Sequence, residues 1–267
     1  MDNRAVGVFD SGLGGLTSVR ELRNILPNEK IVFLGDTLRV PYGTRDRETL
    51  RAFADDDLRF LLSKDVKYIV IACGTVSSNI SREQLSSVPV GVTGVIEPAV
   101  RSAASATSNG IVGVIATSAA VRSGAYHSSL MDIDPSLKVI SVPCPRLVPL
   151  IEAEASEDVD AEIDEAIREY LLPIKESGAD TLILGCTHYP LVADRISAYL
   201  GSGVSLIDSG AEAARAAAKA LEEADMLTDG VSPAVPEFYV TSDPGRFEAS
   251  SEHFLGDRLA EAILTSI

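Results

Sequence analysis

Seven short apolar runs, each followed by turn-forming residues and then by a segment with helical periodicity, constrain the fold of this chain most strongly. The runs span residues 5–9, 30–34, 68–72, 110–115, 138–142, 181–184 and 204–207. They are rich in Val and Ile, as is typical of parallel strands that are covered on both faces. Segments with helical periodicity include residues 16–25, 49–64, 158–177 and 212–224. This alternation predicts an α/β fold with mostly parallel strands.

Three of these runs recur in the same order further along the chain. The matches run from Val6 to Val112 and from Cys73 to Cys186, offsets of 106 and 113 residues. Residues 31–34 loosely match 138–141 at a similar offset. Because the order and a nearly constant offset hold across three pairs, we interpret the chain as two similar Rossmann-like domains. A pseudo-twofold axis would relate them, with a site in the cleft between them.

The repeat also predicts where the domains begin and end. Residues 1–97 are expected to form an α/β domain that carries Cys73 and is completed by residues 208–267. Residues 98–207 are expected to form the second α/β domain, which carries Cys186.

The charge of the chain excludes several kinds of partner. It has 23 Lys and Arg but 39 Asp and Glu, which gives a formal net charge of −16. Such a surface repels the phosphates of nucleic acids and anionic membranes, so we expect neither as a partner. No apolar stretch approaches the roughly 20 residues of a membrane-spanning helix. The amino terminus enters the first strand without a signal-peptide pattern.

The three cysteines indicate a compartment and a chemistry. Cys73, Cys144 and Cys186 include no CxxC pair, and an odd count is typical of reduced thiols in a cytoplasm. Ligands of open parallel sheets bind at the carboxyl ends of the strands, where Cys73 directly follows one run and Cys186 follows another after a single glycine. Cys144 lies between two prolines, and we expect it only to pack.

Two thiols that face each other across one cleft predict proton transfer on both faces of a carbon atom. One thiolate would remove a proton and the other thiol would deliver one to the opposite face, which inverts the centre. A thiol suits this task because its pKa, ordinarily about 8.5, responds to its surroundings. Nothing indicates a metal site, since His127, His188 and His253 lack ligand-like spacing. The glycine-rich segment 10–15 lacks the GxGxxG spacing of a dinucleotide site.

Several motifs resemble the glutamate racemases of the cofactor-independent aspartate/glutamate racemase family. Among them, DSGLGG at 10–15 and GCTHYP at 185–190 are specific in combination. Further matching segments are 35–43, 71–75, 94–98, 148–152, 207–210 and 238–244. The resemblance implies an enzyme without a cofactor that supplies D-glutamate for peptidoglycan, acts in the cytoplasm and forms a homodimer.

The resemblance also implies roles for individual residues. Cys73 would exchange the α-proton of D-glutamate with help from Asp10. Cys186 would do so for L-glutamate with help from His188, which Glu152 would orient. The residues expected to bind the substrate are Asp10, Ser11, Pro41, Tyr42, Gly43, Gly74, Thr75, Thr117 and Thr187. The cysteine motifs contain no arginine, so backbone N–H groups and hydroxyls would bind the carboxylates.

Each of these residue types also has a structural explanation. Asp10, Ser11 and the three threonines could cap helices. His188 could be a hydrogen-bonded loop histidine, Glu152 part of a solvated acidic face, and Tyr42 a packed turn residue.

One position departs from the family pattern. The family usually has Ala-Cys-Asn-Thr around the first cysteine, whereas this chain has Gly74 in place of the asparagine. Glycine removes an amide that would hold the substrate, and Asn79 is one candidate substitute. The alternatives are therefore a racemase of aspartate or another amino acid, or a weakly active or non-catalytic relative. If Gly74 weakens binding, Gly74→Asn should lower KM.

Overall fold

The structure is a computed structural model that describes residues 1–259 and 261–267. The strands are β1 (Val6–Asp10), β2 (Ile31–Gly35), β3 (Tyr68–Ile71), β4 (Gly91–Gly94), β5 (Ile111–Ala116), β6 (Lys138–Pro143), β7 (Thr181–Leu184), β8 (Ser205–Asp208), β9 (Glu237–Val240) and β10 (Ile263–Leu264). The helices are α1 (Leu16–Ile25), α2 (Arg47–Ser63), α3 (Gly74–Ser77), α4 (Arg82–Ser87), α5 (Ile96–Ala106), α6 (Ser118–Ser123), α7 (Ala125–Ile133), α8 (Leu147–Ile151), α9 (Glu157–Ser177), α10 (Ala193–Leu200), α11 (Ser209–Glu223) and α12 (Pro244–Leu255), with a 3-10 helix at Tyr189–Val192.

The strands form two parallel sheets. One has the order β10-β9-β2-β1-β3-β4 and the other the order β6-β5-β7-β8. All seven predicted strands are present, and every residue of β1, β2, β3 and β7 is buried, as strands covered on both faces must be. The predicted α/β class, with parallel sheets in two domains, is confirmed. Within the described ranges, no helix is long and apolar enough to cross a membrane.

The strand order repeats between the sheets. If β1, β2 and β3 are matched with β5, β6 and β7, as the sequence repeat predicts, the orders coincide and β4 matches β8. Strands β9 and β10 extend only the first sheet, and α11 packs against α1. These features support the proposed division, in which residues 208–267 complete the first domain of residues 1–97. The second domain then spans residues 98–207 and ends at the end of β8.

Hydrogen bonds just beyond β3 and β7 position the two cysteine segments. In the first sheet the Ala72 N–H donates to Phe9 O (2.9 Å), and in the second the Gly185 N–H donates to Ile115 O (2.8 Å). These bonds extend the ladders between β1 and β3 and between β5 and β7 by one step. Each cysteine therefore follows directly on a fixed segment of central strand.

Candidate active site

A cavity of about 370 Å³ lies where the carboxyl ends of strands from both sheets meet. Of the predicted site residues, all except Asp10 line it: Ser11, Pro41, Tyr42, Gly43, Cys73, Gly74, Thr75, Thr117, Glu152, Cys186, Thr187 and His188. Its volume is within the range of about 300–1,000 Å³ that is usual for small-molecule sites. The two cysteines reach this cavity from different sheets.

Cys73 follows β3 and precedes the first residue of α3, and it is almost fully buried. Its thiol donates a weak hydrogen bond to Ser11 Oγ, with an S···O distance of 3.6 Å. Burial and the nearby charge of Asp10 raise the pKa of this thiol to about 12. The raised pKa means that Cys73 is a protonated thiol at neutral pH.

Asp10 is buried at the end of β1 and is not among the described residues that line the cavity. Its Oδ2 accepts a hydrogen bond from the Gly12 N–H (2.9 Å), and burial raises its pKa. It does not cap α1, whose N-cap is Gly15. The charge of Asp10 thus affects the Cys73 thiol, whose pKa it helps to raise.

Cys186 belongs to a chain of hydrogen-bonding side chains. Its Sγ lies 3.7 Å from Nδ1 of His188, whose Nε2 lies 2.7 Å from Oε1 of Glu152 at the end of α8. Burial opposes a charge on His188, but the hydrogen bonds to Cys186 and Glu152 outweigh it and raise the pKa of His188 to about 10. The imidazole is therefore protonated at neutral pH and can stabilise a thiolate at Cys186.

The glycine-rich segment after β1 packs against this histidine. A Cβ atom at Gly14 would lie 2.2 Å from Oγ1 of Thr187 and 2.5 Å from the His188 ring. A side chain there would displace the ring, so Gly14 permits the close approach of the two halves of the site.

Hydroxyls from both sheets meet at the cavity. Oγ1 of Thr75 and Oγ1 of Thr117 lie 2.8 Å apart, which links the starts of α3 and α6. Thr117 also caps α6 by accepting from the Ala120 N–H, so for this threonine the capping interpretation is correct. No Lys or Arg is found among the described residues of the cavity wall. Because both ring nitrogens of His188 are engaged by Cys186 and Glu152, the hydroxyls of the wall and the backbone N–H groups at the start of α3 are the groups available to an anion.

The segment around Tyr42 is fixed from behind the cavity. The Tyr42 hydroxyl donates to Asp36, and Arg39 contacts Asp36, Asp56 (2.8 Å) and Asp57 (3.1 Å). The hydrogen bond to Asp36 therefore fixes the position of Tyr42, and with it the neighbouring Pro41 and Gly43 in the cavity wall.

The structure revises two expectations. Cys144 packs in the hydrophobic core as expected, but it also lines the cavity together with Val148 and Pro149. Its position at the end of β6 was the signal that could have placed it there. Asn79 is not part of the described cavity wall, and its amide nitrogen donates to Thr75 O (2.8 Å) and Ser78 Oγ (3.1 Å). It therefore does not replace the amide that is missing at Gly74.

Metal-ligand geometry is not found in the described ranges. Among residues 1–259 and 261–267, no group of three or more His, Cys, Asp and Glu side chains is arranged to hold a metal ion.

Comparison with known proteins matches the chain to one family over most of its length. The Asp/Glu/hydantoin racemase family model matches residues 17–217. A glutamate racemase from Geobacter metallireducens is 38% identical over 264 residues, which cover 99% of this chain and 97% of that protein. One from Lactococcus lactis is 43% identical over 256 residues, or 96% and 93% of the two chains.

Solved structures agree with the sequence relatives. The crystal structure of a glutamate racemase isoform from Bacillus anthracis superposes with a TM-score of 0.95 at 33% identity, covering 100% of this chain and 99% of that one. A Francisella tularensis glutamate racemase in complex with D-glutamate gives a TM-score of 0.90 at 36% identity, with 100% and 98% coverage. The cavity, the cysteine pair and these matches together show that the chain belongs to the glutamate racemases of the Asp/Glu racemase family.

Proposed function

We propose that this chain interconverts L- and D-glutamate by removing the α-proton with one cysteine sulfur and delivering another proton from the second cysteine to the opposite face. The observation that carries the proposal is that Cys73 and Cys186 line one cavity from the ends of two different sheets. The thiolate of Cys186 takes the α-proton of L-glutamate, and the thiol of Cys73 gives its proton to the opposite face of the carbanion. D-glutamate leaves, and the two sulfur atoms have exchanged protonation states.

The surroundings of the two sulfurs support this direction of transfer. Protonated His188, 3.7 Å from the sulfur, would stabilise a thiolate that forms at Cys186, which favours Cys186 as the base towards L-glutamate. Cys73, whose pKa is raised to about 12, keeps its proton until the carbanion forms. The charge of Asp10 disfavours a thiolate at Cys73, which favours reprotonation of this sulfur from solvent after the product leaves. For D-glutamate, the same two groups act in reverse.

The substrate carboxylates would bind to local dipoles, because no Lys or Arg lies in the described cavity wall and both ring nitrogens of His188 are engaged by Cys186 and Glu152. The net charge of −16 opposes an approaching dicarboxylate, and the cavity wall carries hydroxyls from Ser11, Thr75, Thr117 and Thr187. Hydrogen bonds from hydroxyls and backbone N–H groups to a carboxylate are charge-assisted and so stronger than neutral ones. They act at short range, where the overall field matters least.

Racemisation of aspartate or another amino acid is the alternative, because Gly74 lacks the amide usual at this position in the family. A panel of pure L- and D-amino acids, followed by circular dichroism, separates the two proposals. We expect loss of optical activity from both enantiomers of glutamate. A chain that racemises aspartate but leaves glutamate unchanged would contradict the proposal, as would binding of glutamate without any loss of optical activity.

We also propose that the protein is a cytoplasmic homodimer that supplies D-glutamate to peptidoglycan synthesis. The family resemblance supports the dimer and the cell-wall role, and the three unpaired cysteines suit a reducing compartment. Light scattering on the purified chain would test the dimer. A mass equal to one chain at micromolar concentration would contradict it.

Replacing Glu152 with Gln should shift the pH dependence of the enzyme. The hydrogen bond to Glu152 helps to raise the pKa of His188 to about 10, so its loss lowers that pKa. The alkaline decline of kcat from L-glutamate should therefore begin at lower pH. At neutral pH kcat should fall by about tenfold, since a hydrogen bond to a charged group contributes about 1.5–3 kcal/mol and the amide restores part of it.

The same proton contributes to folding stability with a defined sign. Because the pKa of His188 is raised in the folded state from 6.5 to about 10, its contribution is complete below pH 6.5 and is lost as the pH rises towards 10. Urea unfolding of the native chain and of Glu152→Gln at pH 6 and pH 10 checks this. A stability difference that is the same at both pH values would contradict it, as would an unchanged kcat profile.

A further inference from the structure

The two cysteine segments touch at their glycines. Gly74 follows Cys73, and Gly185 precedes Cys186. A Cβ atom at Gly74 would lie 2.4 Å from Gly185 O and 3.3 Å from the Gly185 carbonyl carbon. Real Cβ atoms essentially never come within 3.0 Å of another heavy atom, and here the obstacle is backbone, which cannot rotate away as a side chain would. The contact therefore requires glycine at position 74.

Both sides of this contact are anchored. The Gly185 N–H donates to Ile115 O (2.8 Å). A Cβ atom at Gly185 would itself lie 2.8 Å from that oxygen and 3.0 Å from the hydroxyl of buried Tyr126. On the other side, Gly74 O accepts from the Ser78 N–H (3.1 Å) within the turn that opens α3. Neither glycine can retreat without disturbing the strand or helix that holds its cysteine.

The backbone conformation at position 74 does not require glycine. Gly74 is not among the residues with a positive φ angle, so an alanine could adopt its backbone conformation. The carbonyl of Gly185 is thus the obstacle to a side chain at this position. A substitution at Gly74 consequently acts on the distance between the two segments and leaves the local conformation allowed.

We infer that Gly74 is a positioning residue, which sets the separation of the two thiols through its backbone contact with Gly185. The inference rests on the proposed two-thiol function. It implies that any side chain at position 74, including the asparagine usual in the family, forces the two segments apart in this chain. We therefore expect Gly74→Asn to lower turnover, in contrast to the lower KM that the sequence alone suggests.

The test compares Gly74→Ala with Gly203→Ala, a matched control. Gly203 has an ordinary φ angle and open space around its missing Cβ. Racemisation of L-glutamate in D₂O, followed by NMR, gives kcat, KM and the deuterium content of both enantiomers. We expect Gly74→Ala to lower kcat by about 10- to 100-fold, since an error near 1 Å can cost about 10²-fold. KM should change far less, and Gly203→Ala should change neither.

The deuterium distribution separates positioning from loss of structure. When the donor thiol is too distant, the carbanion is reprotonated on its original face, so deuterium should enter unconverted L-glutamate in Gly74→Ala more than in the native chain. If kcat of Gly74→Ala falls as expected but deuterium is distributed between L- and D-glutamate as in the native chain, the inference is overturned. If the native chain racemises glutamate and Gly74→Ala has the same kcat, the inference is overturned, but the proposed function stands.

Two further measurements keep the inference testable if that variant folds poorly or the native chain is inactive. In Gly74→Ala with Tyr126→Phe, loss of the hydroxyl gives the Gly185 peptide room to move, and we expect a folded protein that keeps the low kcat, with Tyr126→Phe alone as its control. Crystal structures of the native chain and either Gly74→Ala variant give the Sγ–Sγ separation directly. An unchanged separation would overturn the inference whatever the activity.

Discussion

Replacing Cys73 or Cys186 with alanine is expected to lower kcat for glutamate racemisation by about 10²–10⁴-fold, the usual contribution of a general acid or base. Each variant loses the proton donor or acceptor on one face of the substrate, so inversion cannot be completed. Both losses should be of similar size, because every turnover in either direction uses both sulfurs. Initial rates from L-glutamate and from D-glutamate, followed by circular dichroism, give the two kcat values.

Cys144→Ala is the matched control for these variants. Cys144 is a buried thiol in the wall of the same cavity, but its Sγ bonds to Val142 O (3.6 Å) rather than to an acidic or basic side chain. We expect its kcat to stay within about tenfold of the native value, because a lost packing contact of about 1 kcal/mol would change a rate by less than tenfold even if all of it were lost from the transition state. A similar loss in all three variants would contradict the assignment of the two thiols.

The second large effect concerns folding, and it involves a buried ion pair. Lys67 precedes β3 and has no exposed surface, and its Nζ lies 2.6 Å from Glu29 Oε2. The same Nζ donates to the backbone oxygens of Asp2 (2.5 Å) and Met226 (2.7 Å). Lys67→Ala should therefore lower the free energy of unfolding by about 3–5 kcal/mol, because it leaves Glu29 buried without its counter-charge.

Urea unfolding measures this effect, with Arg101→Ala as the control. Arg101 pairs with Glu97 at the same 2.6 Å, but both side chains are largely exposed, so the cost should not exceed about 1 kcal/mol. Replacing both buried partners, as in Lys67→Met with Glu29→Leu, should recover much of the stability. Equal costs for Lys67→Ala and Arg101→Ala would contradict the account.

The fold could be predicted from the sequence where strands are buried on both faces. Strands β1, β2, β3, β5 and β7 were found because an apolar run is the direct consequence of that burial. Strands β6 and β8 were found from their apolar residues although they are mostly part-buried or exposed. Strands β4, β9 and β10 were missed for physical reasons. β4 begins and ends in glycine and is partly exposed, β9 opens on exposed Glu237, and β10 has only two residues, both exposed. β4 and β10 are edge strands, which carry little apolar signal, whereas β9 lies between β10 and β2 but has only three buried residues in a row.

The candidate site was predictable to the extent that topology determines it. Residues that follow parallel strands meet at one edge, so Cys73 and Cys186 could be selected from the repeat alone. The link between Glu152 and His188 came only from the family resemblance, because 36 residues separate them in the chain. The contact between Gly74 and Gly185 depends on how closely the two sheets approach, which no local pattern encodes.

Solvent exchange in the single cysteine variants tests the two-thiol mechanism most directly. Each variant is incubated in D₂O with pure L- or pure D-glutamate, and NMR follows the α-proton. Cys73→Ala keeps the base on one face, so deuterium should enter L-glutamate without inversion while D-glutamate stays protiated. Cys186→Ala should show the reverse. Deuterium entering both enantiomers at comparable rates in either variant would contradict the assignment of one thiol to each face.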